Sequence, residues 1–179
     1  MIKRYKEYIQ EALIELLNKK TIKEISITDL TEKAGIARST FYRYYSSLDE
    51  VIDDYILSIF AKMRKEKSFN FNIQSTIRGF LEIFYDYREF FRLLVRRGLI
   101  ERVQRFLFNV CYEGIKDLGR NSQINELEAY YYGGASSGFI VGVIIGDYKV
   151  PIEEAEKKLE SLLIGDPKKT IEEIKTSRD

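Results

Sequence analysis

Residues 28–45 read TDLTEKAGIARSTFYRYY, a pattern typical of two short helices joined by a tight turn. Thr28 is predicted to cap the first helix, and Asp29 in its first turn suits the positive end of the helix dipole. Gly35 is predicted to end that helix, because glycine accepts the positive φ that a tight turn needs. An amphipathic helix predicted at about residues 3–18 would support the pair. Together these elements predict a helix-turn-helix.

The second short helix, predicted at about residues 38–44, needs an apolar face for packing and a polar face for contact with DNA. Phe41 and Tyr45 lie four positions apart and are expected to face the core. A helix fixed in this way fits the major groove of DNA, where the base pairs can be distinguished by their edges. The side chains left for DNA are Arg38, Ser39, Thr40, Tyr42, Arg43 and Tyr44.

Residues 9–57 resemble the N-terminal domain of the TetR family of transcription regulators. The shared positions are Ile9, Ala12, Leu16, the segment 25–30, the turn 34–36, the run 39–45 and the segment 47–51. The resemblance implies an all-helical fold, in which a three-helix DNA-binding domain precedes a C-terminal helical bundle. It also implies a homodimer and a C-terminal domain that senses a ligand or a partner.

The resemblance further implies roles for individual side chains. Thr28 would cap the first short helix and contact the DNA backbone. Tyr42 and Tyr44 would anchor phosphates, which positions a protein on DNA without specifying sequence. The side chains that would contact bases or phosphates are Arg38, Ser39, Thr40 and Arg43.

The chain departs from the family at two positions. Ala37 stands where a capping serine is common, and Leu48 stands where a phosphate-binding lysine is common. Arg43 or Lys33 is a candidate to replace that lysine. The competing interpretation of this segment is a helical hairpin packed only for stability, with all of its tyrosines in the core.

The composition is that of a globular protein, with 45% hydrophobic and 32% charged residues among 179. One cysteine and no histidine are present, which excludes an intramolecular disulfide and disfavours an enzyme. No phosphate-binding glycine loop or metal-ligand cluster stands out, so neither a cofactor nor a metal is expected. The longest apolar run, residues 138–146, is far shorter than the roughly 20 residues that span a bilayer. We therefore expect a cytoplasmic protein without membrane contact.

Helical periodicity continues beyond the N-terminal segment. Helices are predicted near residues 48–65, 74–86, 88–97, 99–118, 123–147 and 152–164, with a linker at 67–74. The predicted organisation is a DNA-binding domain at 1–47, a connecting helix at 48–67, an effector and dimerisation domain at 68–165, and a charged tail at 166–179.

The helices near 123–147 and 152–164 resemble the last two helices of the family, which implies that they form the dimer interface. Small residues on the longer helix would let two helices approach closely; they are Gly133, Gly134, Gly138 and Gly142. The alternative is that the apolar run 139–145 belongs to the core of a single chain.

Aromatic residues are abundant in the C-terminal part, and some are candidates to line a pocket for a small apolar effector. The selected candidates are Phe84, Phe91, Phe106, Tyr112 and Tyr131. Arg88, Arg92 and Arg96 share a helix face and offer a site for an anionic effector, although such a run is more often a solvated face. Aromatic residues at helical spacing are likewise often core.

The sequence thus predicts a homodimeric regulator that binds a palindromic DNA duplex, and a repressor released by a small-molecule effector. The alternative is a regulator of the activator type, controlled by a protein partner without a small-molecule pocket. Residues 87–94 favour this alternative, because they resemble the C-terminal domains of a subset of the family similar to the dihydroxyacetone-kinase operon activator.

Overall fold

The computed structural model describes residues 2–66, 73–119 and 124–164. Within these ranges every regular element is helical, which confirms the all-helical fold class. The chain divides into two compact units, Met1–Ser68 and Phe69–Asp179. The predicted tail lies outside the described residues, as does most of the predicted linker, whose last residues already belong to a helix.

The first unit begins with a long helix, followed by a 3-10 turn, two short helices and a second long helix. These elements are α1 (Ile2–Leu17), the turn Ile22–Glu24, α2 (Ile27–Ala34), α3 (Arg38–Tyr44) and α4 (Leu48–Glu66). The side chains that form its centre are apolar and fully buried; they include Ile9, Leu13, Leu17, Leu30, Phe41 and Ile56. The core therefore holds α2 and α4 against α1, and α3 against α2.

The predicted cap at Thr28 is wrong, because α2 begins two residues earlier than that cap implies, at Ile27, and Ser26 is its N-cap. The Ser26 Oγ accepts a hydrogen bond from the Asp29 backbone N–H (3.0 Å), and the Asp29 carboxylate accepts one from the Ser26 N–H (2.8 Å). Hydrogen bonds that the Ser26 backbone N–H and the Ser26 hydroxyl donate to the Asp29 carboxylate lower the pKa of that carboxyl. Thr28 instead lies exposed in the first turn. Gly35 ends α2 with φ +65°, as predicted.

The second unit contains five helices among its described residues, and they follow the predicted order. They are α5 (Ile73–Asp86), α6 (Arg88–Arg96), α7 (Ile100–Gly119), α8 (Glu126–Ile145) and α9 (Ile152–Ile164). Phe84, Leu94 and Ile140 are among its fully buried side chains. No helix in the described ranges is long and apolar enough to cross a membrane.

The glycines of α8 lie in two different environments. A Cβ added at Gly133 would lie 3.0 Å from the Tyr112 Cα of α7, so this glycine permits close packing of the two helices. A Cβ added at Gly138 or Gly142 would meet nothing within 4 Å. The first of these glycines is therefore part of the core of a single chain, and the other two lie on an open surface.

Candidate nucleic-acid interface

The seven-residue helix α3 is fixed to the first unit by its apolar side. Phe41 is fully buried and Tyr45, the residue that follows α3, is 3% exposed, as predicted. Ala37 occupies the N-cap position and offers no side-chain hydrogen bond, so the helix lacks the usual cap. Packing of the two aromatic rings, rather than capping, therefore holds α3 in place.

The opposite side of α3 is exposed and basic. Arg38, Ser39 and Arg43 are exposed, Thr40 is half-buried, and Tyr42 is 52% exposed. In the described part of the chain, neither guanidinium of this helix has a carboxylate oxygen within 4.0 Å. The positive charges are thus available to a polyanion.

The tyrosines of the segment occupy three distinct environments. The Tyr42 ring meets the Phe41 ring in a T-shaped arrangement, at 5.4 Å between ring centroids, and is 52% exposed. The Tyr44 ring is half-buried and stacks on Tyr5 of α1, at 6.2 Å. Only Tyr45 is a core residue, so the interpretation that places all of them in the core is wrong.

Lys33, the other candidate to replace the phosphate-binding lysine, already has an acidic partner, and Leu48 stands at the position of that lysine. The Lys33 ammonium forms an ion pair with the Glu15 carboxylate of α1, and this contact lowers the pKa of Glu15. Lys33 thus differs from Arg43, whose guanidinium has no carboxylate oxygen within 4.0 Å among the described residues. Leu48 is half-buried at the first position of α4.

A partly buried polar network, which the sequence patterns did not reveal, joins the end of α3 to α1 and α4. The Tyr45 hydroxyl donates to the Asp54 carboxylate (2.6 Å), which also accepts from Gln10 Nε2 (2.9 Å) and Lys6 Nζ (3.1 Å). Burial, together with the neighbouring carboxylate, raises the pKa of Tyr45 above its usual range. The signal in the sequence was Gln10, a polar residue on the buried face of α1.

The five candidate effector residues are not brought together. Phe84 and Phe91 are fully buried, with ring centroids 4.9 Å apart, and belong to the core of the second unit. Tyr112 packs on Tyr130 at 4.7 Å, whereas Tyr131 is 59% exposed. Phe106 is half-buried on α7.

A groove of about 670 Å³ lies between α8 and α9, and none of those five residues lines it. Its lining combines apolar side chains with lysines; it includes Phe139, Val143, Val150, Lys149, Lys157 and Lys158. The predicted row of arginines lies on α6 instead. There Arg92 donates to the Asp147 carboxylate (2.6 Å) and pairs with Glu89, so this row is at least partly neutralised.

One face of α8 is exposed and uncharged along the length of the helix. Its members recur every three or four residues: Leu127, Tyr131, Ala135, Gly138, Gly142 and Ile145. Leu127 is 80% exposed and Ile145 is 59% exposed. A contiguous apolar surface of this kind is characteristic of a protein interface.

Comparisons with known proteins agree with this architecture. No protein-family model matches the chain. Two uncharacterised HTH-type transcriptional regulators of Bacillus subtilis (strain 168) are similar: YxbF is 26% identical over 109 residues, 56% of this chain, and YvdT is 44% identical over 46 residues, 26% of this chain. The matched segments span only 29% and 24% of the lengths of these relatives.

A solved structure, the dihydroxyacetone kinase operon activator DhaS, has a similar fold. It superposes with a TM-score of 0.61 at 20% identity, over 89% of this chain and 94% of that chain. The chain therefore shares sequence with helix-turn-helix regulators over part of its length and shares its fold with an operon activator.

Proposed function

We propose that the protein is a TetR-like transcription regulator that binds duplex DNA through α3 and acts in the cytoplasm. The observation that carries this proposal is the exposed face of α3, where Arg38 and Arg43 have no carboxylate oxygen within 4.0 Å among the described residues and the helix is fixed by buried aromatic rings. Arginine can hold a guanine edge by two hydrogen bonds, and Tyr42 is placed to reach a phosphate. Thr28, exposed on α2, supplies a further backbone contact. The named function of the two relatives supports this assignment.

We also propose that residues 1–47 and the helix that follows form the DNA-binding domain, and that residues 68–165 form the dimerisation and control domain. Two copies would associate through α8 and α9, since the uncharged face of α8 would then leave water. A two-fold dimer presents two α3 helices to a palindromic duplex.

Two modes of control fit different features of the second unit. The groove between α8 and α9, with its lysines, suits release of a repressor by a small anionic or apolar molecule. The burial of Phe84 and Phe91 in the core, which makes them unavailable to a small molecule, instead favours control by a protein partner. DhaS, which shares the fold, is named as an activator.

Selection of DNA from a pool of random-sequence duplexes tests the proposed function. We expect the protein to enrich a palindromic site and to bind it as two chains per duplex. Binding should be strongly sensitive to salt, because a protein with 6–10 phosphate contacts loses about 10³-fold or more in affinity between 50 and 200 mM. A pool without any enriched site would contradict the proposal.

A further inference from the structure

The carboxylate of Asp54 is the point at which three helices meet through polar contacts. Lys6 and Gln10 donate to it from α1, and Tyr45 donates to it from the end of α3. The Lys6 ammonium also lies 5.2 Å from the centroid of the Tyr45 ring. Asp54 itself belongs to α4, so a single side chain ties the helix that leaves this unit to the two helices beside it.

The bond from Tyr45 acts directly on the end of α3. Tyr45 follows α3 directly, and its backbone N–H donates to the Phe41 carbonyl, which makes it the C-cap of the helix. Its hydroxyl reaches the carboxylate at 2.6 Å, and hydrogen bonds to charged acceptors are about twice as strong as neutral ones. Because α3 is short and has no side-chain cap at its start, this bond restricts its position more than it would in a longer helix.

We propose that Asp54 is a positioning residue for sequence-specific DNA recognition, acting through the hydroxyl of Tyr45. The inference rests on the proposed function, since it assumes that α3 reads DNA. Base-specific hydrogen bonds require side chains to be held within about 0.5 Å of their productive positions. Attraction to phosphates requires only positive charge. Loosening α3 therefore weakens specific binding and leaves non-specific binding nearly unchanged.

The variant Asp54→Asn should separate specific from non-specific DNA binding, because only specific binding is expected to fall. Asp54→Asn removes a negative charge and releases the Lys6 ammonium from its ion pair. Non-specific binding to DNA should then stay constant or rise, because the net positive charge of this unit increases. Specific binding should fall, because the neutral amide holds Tyr45 less firmly. A loss of folding alone would lower both.

The test compares two duplexes at one salt concentration: the site that the wild-type chain enriches from a random pool, and a shuffled duplex of equal length. Tyr45→Phe removes only the hydroxyl, and Asp54→Asn removes the charge. Tyr85→Phe is the matched control, because it removes a tyrosine hydroxyl bond of 2.6 Å, to the Val150 carbonyl, in the other unit. Circular dichroism and thermal melting measure the folded fraction of each variant.

We expect Tyr45→Phe and Asp54→Asn each to lower the ratio of specific to non-specific affinity by about tenfold, as loss of one charged hydrogen bond allows. The double variant should lose no more than the larger single loss, since the two groups act as one pair. Tyr85→Phe should leave the ratio unchanged.

An unchanged ratio in folded Tyr45→Phe would overturn the inference, and so would an equal loss on both duplexes that follows the loss of folded protein. If Asp54→Asn does not fold, Tyr45→Phe decides the question alone, because its ring remains in the core. A wild-type chain that enriches no duplex would instead refute the proposed function itself.

Discussion

The exposed faces of α3 and α8 differ in chemistry although both belong to helices with well-buried opposite sides. The face of α3 carries Arg38 and Arg43 with hydroxyl groups beside them, and it has no acidic partner among the described residues. The six residues that form the face of α8, from Leu127 to Ile145, carry no charge. One face suits the phosphates and base edges of DNA, and the other suits a second apolar surface.

This difference shows that exposure alone does not identify a binding site. An exposed arginine tolerates water, whereas an exposed run of leucine, tyrosine and glycine leaves apolar area in water at a cost of about 25 cal/mol per Å². The face of α8 is therefore expected to be covered in the functional assembly, and the face of α3 only when DNA is bound. Substitutions on the two faces should accordingly have different effects on assembly and on DNA binding.

The largest effect on assembly is expected from Gly138→Arg. A Cβ at this position meets nothing within 4 Å, so a single chain should fold as before. In a dimer that buries α8, however, an unpaired buried charge costs about 3–5 kcal/mol. The dissociation constant of the dimer should rise by at least about 100-fold. In sedimentation or light scattering at micromolar concentration, the measured mass should then be half that of the wild-type dimer.

Gly138→Ala is the matched control, because it adds a Cβ without a charge and should leave the mass unchanged. If the arginine variant keeps the mass of the wild-type dimer, the face of α8 is not the interface. If the wild-type chain is itself a monomer, the dimer proposal fails directly.

A smaller effect, on the free energy of unfolding, should distinguish Gly133 from Gly138 of the same helix. Gly133→Ala places its Cβ 3.0 Å from the Tyr112 backbone, and the resulting strain should exceed the gain in helix propensity. We expect a loss of about 1 kcal/mol in the free energy of unfolding. Gly138→Ala should gain about 0.5–1 kcal/mol, because alanine restricts the unfolded chain more than glycine does.

Chemical denaturation of both alanine variants measures these differences. A stabilised Gly133→Ala variant would show that α7 can move away from α8 at little cost. The close approach of these two helices would then not be a constraint on the fold.

The helix-turn-helix was predictable because its signals are local. Gly35 has a positive φ, and the spacing of Phe41 and Tyr45 identifies the buried side of α3 without knowledge of distant residues. The error at Thr28 is also local. Asp29 stands three positions after Ser26, which is the spacing of a capping box. Thr28 immediately precedes Asp29 and therefore cannot form a capping box with it.

The second unit was less predictable because helical spacing does not reveal which neighbour a side chain meets. Phe84 and Tyr131 were equal candidates for a pocket, yet one is fully buried and the other mostly exposed. Gly133 and Gly138 are the same residue type on the same helix, and only the position of α7 distinguishes them. The contact of Tyr45 with Asp54 likewise requires the folded arrangement that brings α4 beside the end of α3.

DNA binding by a variant that lacks two side chains on the exposed face of α3 tests the central claim most directly. In the double variant Tyr42→Ala and Arg43→Ala, both lost side chains are exposed, so the melting temperature should match that of the wild-type chain. Affinity for the enriched duplex, measured by gel shift or fluorescence anisotropy, should fall by about 100-fold, since each such contact contributes about 1–3 kcal/mol. Unchanged affinity in a folded double variant would contradict the assignment of α3 as the helix that reads DNA.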